Sequence, residues 1–353
     1  RAPHYDAIHY HGHLPNIARY IPATVNFIQT RHDQGSDCLI HTRFKRGRIC
    51  RSSDARNCAE CRTWQPNALQ RTVTTIAVTR FRSEVAEGFR RHKTVFVSDL
   101  LRQNLWSRVR SAVLTSATIT SCGSFGFFLS EAGLSRDPAV TSLAVKSPFD
   151  YARQGRIVVR QTRASPKDLT AFNAEVIELL VREITALEGG GLALFTSRRH
   201  LEQAVEALPA RLRDRVLVQG SRPRGALVDE HTRRVRAGLP SALLGLASFG
   251  EGLDLPGDLC RELWIMKLPF GSPDDPVGEA RAEYVEAGGG HAFADLVVPE
   301  TGVRLLQWTG RGIRTESDTA RITLFDRRIT EQAYGRRILA GLPPYPVEVV
   351  APG

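Results

Sequence analysis

Between residues 156 and 265, short apolar runs alternate with longer amphipathic ones, and that alternation limits the possible folds more than any single motif. Arg156 to Arg160 (R-I-V-V-R) predicts a strand. Leu169 to Leu187 carries apolar residues at helical spacing and is closed by Gly189-Gly190-Gly191. A strand over Leu192 to Phe195, a helix over 199–207, a strand over Val216 to Val218 and a helix around Leu227 to Arg236 follow. Strands at Ala242 to Leu246 and Leu263 to Ile265 complete the series. Short strands separated by helices predict a parallel sheet, so the expected fold class is α/β.

Upstream, Ser98 is placed to cap a helix running to Arg110, with Leu100, Leu101, Leu105 and Val109 on its apolar face. Ala112 to Leu114 then reads as a buried strand that delivers Thr115, Ser116 and Thr118 at its C-terminal end, where open α/β sheets place ligands. The polar run from Gln161 to Lys167 reads as a linker into a second domain, and 353 residues exceed what one core usually serves. Lys267 to Gly290 is broken by proline and glycine and reads as a surface excursion.

A formal charge of +11 points to a polyanionic partner, because a field of that sign holds nucleic acid through its phosphates. No apolar run is long enough to span a bilayer and no signal pattern opens the chain, so a cytoplasmic protein without a membrane partner is expected. The chain opens on Arg1 and its single methionine is Met266, so it is expected to be an internal portion of a longer polypeptide. Cys38, Cys50, Cys58 and Cys61 cluster in an arginine-rich, loop-like stretch, and two readings stay open for them. They are either an iron-sulfur or zinc site or ordinary reduced thiols.

The strongest chemical signal is Gln307-Trp308-Thr309-Gly310-Arg311-Gly312-Ile313-Arg314. Arg311 and Arg314, three apart at the start of an expected helix, would share one face and form a fork for oxyanions. Earlier, Leu244 to Asp258 runs from an apolar strand into a glycine-rich turn holding Glu251, Gly252 and Asp254. Thr196, Ser197 and Arg198 sit where a strand yields to a helix, so hydroxyls and exposed amides there could grip a DNA phosphate or simply cap the helix.

Val113-Leu114-Thr115-Ser116-Ala117-Thr118, the glycine-rich turn and the arginine fork, in that order, resemble the C-terminal motif set of superfamily 2 helicases of the DinG/XPD type. Val97-Ser98-Asp99, Ser147-Pro148-Phe149, Leu217-Val218-Gln219-Gly220 and Leu339 to Tyr345 extend the likeness from about residue 95 to 346. The resemblance implies an ATP- and Mg2+-dependent DNA helicase acting as a monomer, moving 5′ to 3′ on single-stranded or forked DNA. It assigns Arg311 and Arg314 to the γ-phosphate and Gln307 to coupling of the cleft. Gly310, Glu251, Gly252 and Asp254 would face the nucleotide, with Asp254 near its sugar or an arginine of the fork. Thr196, Ser197 and Arg198 would contact DNA, and Thr115, Ser116 and Thr118 would relay between nucleotide and DNA. The implied layout is an insertion or arch-like segment with the cysteine cluster over 1–92, the end of a first RecA-like domain over 93–160 and a second RecA-like domain over 161–353. The family also has a CRISPR-associated branch working beside an RNA-guided complex, and a third reading is a basic nucleic-acid-binding module without catalysis.

None of the five lysines follows a glycine, so the phosphate-cradling loop of such motors is not in this sequence and the chain alone is expected not to hydrolyse ATP. Asp229-Glu230-His231-Thr232 has the composition of an acidic metal box but falls within an expected helix, and reads as a surface turn.

Overall fold

The computed structural model describes residues 96–272 and 275–352, together with three short strands nearer the N-terminus: β1 (Asn26–Ile28), β2 (Phe44–Lys45) and β3 (Arg48–Ile49). Two compact units are present. Among the described stretches, 96–119, 125–141 and 275–292 belong to the first, and 120–124, 142–272 and 293–352 to the second.

The second unit is built on seven parallel strands: β5 (Gly155–Arg160), β6 (Gly190–Leu194), β7 (Val216–Val218), β8 (Ser241–Gly245), β9 (Glu262–Ile265), β10 (Ala320–Leu324) and β11 (Val347–Val350). Their order across the sheet is β11-β5-β10-β9-β6-β8-β7. Side chains alternate between the two faces, and both faces are covered. Leu192, Leu194, Leu243, Leu263 and Ile265 join a core closed by Leu305 and Trp308 of the helix Val298–Thr309. Ala193, Leu244 and Trp264 face the other way, against Phe172, Val176, Leu180 and Ile184 of the helix Leu169–Thr185. Asp168 starts that helix by accepting from the Ala171 amide at 3.1 Å.

Several expectations change. The strand 155–160 does not end the first domain: its register with β10 and β11 makes it an interior strand of the second sheet, so the units do not part at residue 160. Strands β10 and β11, unforeseen from the sequence, complete that side of the sheet. Gly190 and Gly191 open β6 rather than closing the preceding helix. In the first unit the helix from Ser98 stops at Asn104 and gives way to a 3-10 turn over Trp106–Arg108, held by the Trp106 indole donating to Ala132 O at 2.6 Å. The strand β4 (Val113–Thr115) is not buried: it pairs antiparallel with β1, and Val113 is 56% exposed, with no described layer over it. The proline- and glycine-broken excursion contains an ordered helix, Pro276–Ala287, capped by Asp275 and tied into the first unit by the Arg281–Glu131 ion pair at 2.5 Å.

Candidate functional site

The arginine fork forms, but not on a helix. The helix Val298–Thr309 ends just before it, because the Thr309 hydroxyl donates back to the Leu305 carbonyl at 2.9 Å and the next amides close short i to i+3 turns onto Trp308 and Thr309. Gly310 caps the end, half-buried Gln307 lies within the last turn, and Arg311 and Arg314 fall on the loop beyond. Asp318 shapes that loop. Its carboxylate accepts from the amides of Arg314 at 2.8 Å, Thr315 at 3.0 Å and Gly257 at 3.0 Å, and from the Thr315 hydroxyl at 2.6 Å. Burial opposes its charge, but the Thr315 hydroxyl and the three amides together hold the carboxyl below its usual value.

So folded, the two guanidiniums converge on one atom. Arg311 Nη1 donates to Leu253 O at 3.0 Å and Arg314 Nη2 donates to the same carbonyl at 2.6 Å, while Arg314 Nη1 pairs with Asp254. Leu253 and Asp254 follow a short helix, Ala247–Gly252, that replaces the expected glycine-rich turn. Where that helix starts, Gln219 bridges two sites: its Oε1 accepts from the Leu246 amide at 2.7 Å and its Nε2 donates to Ser248 Oγ at 2.9 Å. Gly250 lies flat against Trp308, since a Cβ there would stand 2.3 Å from the indole nitrogen. Gly252 lies against Arg224 in the same way, with a Cβ falling 2.6 Å from Nη2.

The electrostatics are those of a cation cluster short of counter-ions. Burial, with Arg314 and Arg224 adding repulsion, brings the Arg311 guanidinium down to about 10, against the pull of Asp254 and Glu251. Desolvation raises the Glu251 carboxyl although its side chain keeps solvent contact, and Arg304 and Arg311 counter that rise. Arg311 Nε, Arg314 Nε and Arg224 Nη2 are buried donors with no acceptor. Buried donors are normally paired, so three of them in one cluster suit an oxyanion with several acceptor oxygens. Arg224, the first residue of the helix Arg224–Arg236, was not foreseen from the sequence.

The remaining candidates lie elsewhere. Thr196, Ser197 and Arg198 are exposed at the C-terminal end of β6, with the Ser197 hydroxyl capping the helix Arg198–Glu206 by accepting from His200 N at 3.3 Å. The far end of the fork's loop is anchored at the N-terminal end of β5, where Gln154 donates to the carbonyls of Thr315 at 2.8 Å and Asp318 at 3.0 Å. Within the second unit, the structure brings Arg311 and Arg314 together with Asp254 and Glu251, and Gly252 against Arg224. Thr115, Ser116 and Thr118 belong to the first unit, where Ser116 Oγ accepts from Thr118 N at 3.1 Å and forms a tight hydroxyl turn. Cys38, Cys50, Cys58 and Cys61 lie outside the described residues. Among the described residues, no group of three or more His, Cys, Asp or Glu side chains is arranged to hold a metal.

Asp229-Glu230-His231-Thr232 is only partly a surface turn. Glu230 pairs with Arg233 and Arg234, each at 2.7 Å, but His231 is fully buried. Its Nε2 donates to Leu259 O at 2.8 Å, which leaves Nδ1 to accept from the Ser241 hydroxyl at 2.9 Å. The imidazole pins the helix to the sheet.

The family described as helicase C-terminal domain matches residues 180–345. The ATP-dependent DNA helicase DinG of Photobacterium profundum is 39% identical over 248 residues, covering 69% of this chain and 36% of the relative. The DinG helicase of Salmonella typhimurium is 35% identical over 258 residues, 71% of this chain and again 36% of the relative. The chain thus spans about a third of the length of these relatives. A solved structure described as "XPD_APO" is 15% identical with a TM-score of 0.44, over 56% of this chain and 41% of that one. No helix among the described residues is long and apolar enough to cross a membrane. The match over residues 180–345 and the 35–39% identity over about 70% of its length identify the chain as carrying a helicase C-terminal domain of the DinG kind.

Proposed function

We propose that the chain supplies the second motor half of an ATP-dependent DNA helicase. ATP and its Mg2+ are held on the first motor domain, and Arg311 and Arg314 reach the γ-phosphate. The observation that carries this reading is the convergence of both guanidiniums on Leu253 O, with each Nε buried and unpaired. The Arg314–Asp254 pair and the four bonds to Asp318 hold the loop in place, so the charge that grows on a transferring phosphoryl group meets donors already oriented. Gln307 couples this loop to the helix behind it, and Gly310, Glu251, Gly252 and Asp254 line the nucleotide side. Thr196, Ser197 and Arg198, at the C-terminal end of β6, contact a DNA phosphate, and Thr115, Ser116 and Thr118 relay between the two from the first domain. Cycles of cleft closure and opening then walk the motor along one strand, 5′ to 3′, as a monomer.

The test is DNA-stimulated ATP hydrolysis by the whole protein. Arg311→Ala and Arg314→Ala are each expected to lower turnover by about three to five powers of ten while DNA binding persists. Unchanged turnover in either variant removes that arginine from the role. Iron and zinc analysis of the same preparation decides whether Cys38, Cys50, Cys58 and Cys61 hold a metal, and pull-down with a guide-RNA complex tests the CRISPR-associated branch.

A further inference from the structure

We propose that Arg224 is a third anion-binding arginine of this site, taking a terminal phosphate oxygen of the nucleoside triphosphate beside Arg311 and Arg314. The proposal rests on the functional reading above and adds a residue from a different helix. Three observations carry it. First, position: the Arg224 guanidinium lies against Gly252, and the next residue along the chain, Leu253, offers the carbonyl on which both fork arginines converge. The three cations are therefore gathered around two consecutive residues. Second, saturation: Arg224 Nη2 is buried without an acceptor, and among the described residues no carboxylate pairs with this side chain. On the same helix Arg233 and Arg234 share Glu230. Third, charge: three guanidiniums face two carboxylates, Asp254 and Glu251, and the repulsion Arg224 adds at Arg311 is part of what lowers that group.

The competing reading is that Arg224 only stacks. Its guanidinium lies 5.7 Å from the centroid of the Phe249 ring, a contact that contributes some stability. Stacking uses the face of the planar group and leaves its in-plane donors free, so it does not satisfy Nη2. An incoming phosphate oxygen would. Glycine at 252 is what allows the approach, because any side chain there would occupy the space of Nη2.

The experiment compares the whole wild-type protein with Arg224→Gln and Arg311→Ala. It reads KM and kcat for DNA-stimulated ATP hydrolysis, and affinities for ADP and for a non-hydrolysable ATP analogue. The expected result for Arg224→Gln is at least about a tenfold loss of affinity for the analogue, a matching rise in KM for ATP, and ADP affinity within twofold of wild type. A purely stacking role would lower the melting temperature and leave the preference for analogue over ADP unchanged, and that outcome overturns the proposal. If Arg224→Gln does not fold, Arg224→Met takes its place, since its stem still covers Phe249 but carries no donors; the same outcomes apply. A wild-type protein that neither binds nor hydrolyses ATP overturns the functional reading and this inference together. Loss of turnover in Arg311→Ala with an unaltered Arg224→Gln overturns only this inference.

Discussion

Asp318 offers the most direct test of how the fork is held. Its two carboxylate oxygens accept four hydrogen bonds, two on each side, from Gly257, Arg314 and Thr315, and the side chain is 3% exposed. Asp318→Asn keeps one acceptor oxygen and turns the other into an amide group facing donors. At least one buried N–H loses its partner and an N–H group meets another head-on. An orphaned buried donor costs about 1–3 kcal/mol and a bond to a charged acceptor contributes about 1.5–3 kcal/mol, so a net loss of roughly 2–4 kcal/mol is expected. For a domain of this size that is a fall in melting temperature of about 5–15 °C. Calorimetry of this chain and its variant at pH 7 measures it. The pH dependence supplies the sign. The folded carboxyl lies below its ordinary 3.8, so its stabilisation is complete above that value and fades as pH falls through the lower folded value. The gap between wild type and Asp318→Asn should hold steady from pH 7 to about 5 and narrow below about 4. A variant melting within about 1 °C of wild type at pH 7 would refute the argument that Asp318 organises the loop.

Gly250→Ala places a methyl 2.3 Å from the Trp308 indole nitrogen inside a packed interface, and urea unfolding should show a loss of about 1–3 kcal/mol; an unchanged midpoint would mean the two helices are free to part. Burial, aided by Lys267, lowers His200 from 6.5 to about 4, and burial also lowers His231. Both rings are neutral in the fold and charge more readily once unfolded, so stability is full above pH 6.5 and falls as pH drops below it. His200 alone contributes on the order of 3 kcal/mol to that fall by pH 4, and urea titrations at pH 7 and 5 should show its first part, which His200→Gln should reduce. Glu183, nearly buried, pairs with Arg160 at 3.1 Å and with Arg321, so Glu183→Gln should cost about 3 kcal/mol in the same assay.

The strands read most accurately from sequence are those buried on both faces. Val216 to Val218 is placed residue for residue, and the runs around 190–195, 241–246 and 262–265 are placed within a residue or two, because a continuous apolar run leaves few alternatives. β10 escaped because Arg321 and Thr323 interrupt its apolar residues, and β11 because Val347 and Val349 lie on an exposed edge. Arg311 and Arg314 were legible as a pair by spacing alone. Their backbone was not, because the spacing does not show the Thr309 hydroxyl turning back on Leu305 O or the Asp318 carboxylate gathering the amides of Arg314, Thr315 and Gly257. His231 carried a readable signal: it follows Leu227 by four residues, so both fall on the buried face of one helix. Arg224 had none, since what distinguishes it is a missing partner, and that is visible only once Gly252 and Leu253 are in place.

The helix Ala247–Gly252 explains why this arrangement can respond as a unit. Its first turn is tied to Gln219 through Leu246 N and Ser248 Oγ, its middle is wedged on Trp308 at Gly250, and its end delivers Leu253 O to both fork arginines. A six-residue helix packed this closely cannot stretch, because its own hydrogen bonds fix its length and the ring behind Gly250 blocks sideways motion. A displacement imposed at Ser248 therefore arrives at Leu253 as a shift of the whole helix, and the arginines bonded to that carbonyl must move with it or break away. The two outcomes differ in charge as well as position. Arginines that break from Leu253 O leave part-buried donors to be satisfied by another acceptor, an anion among them.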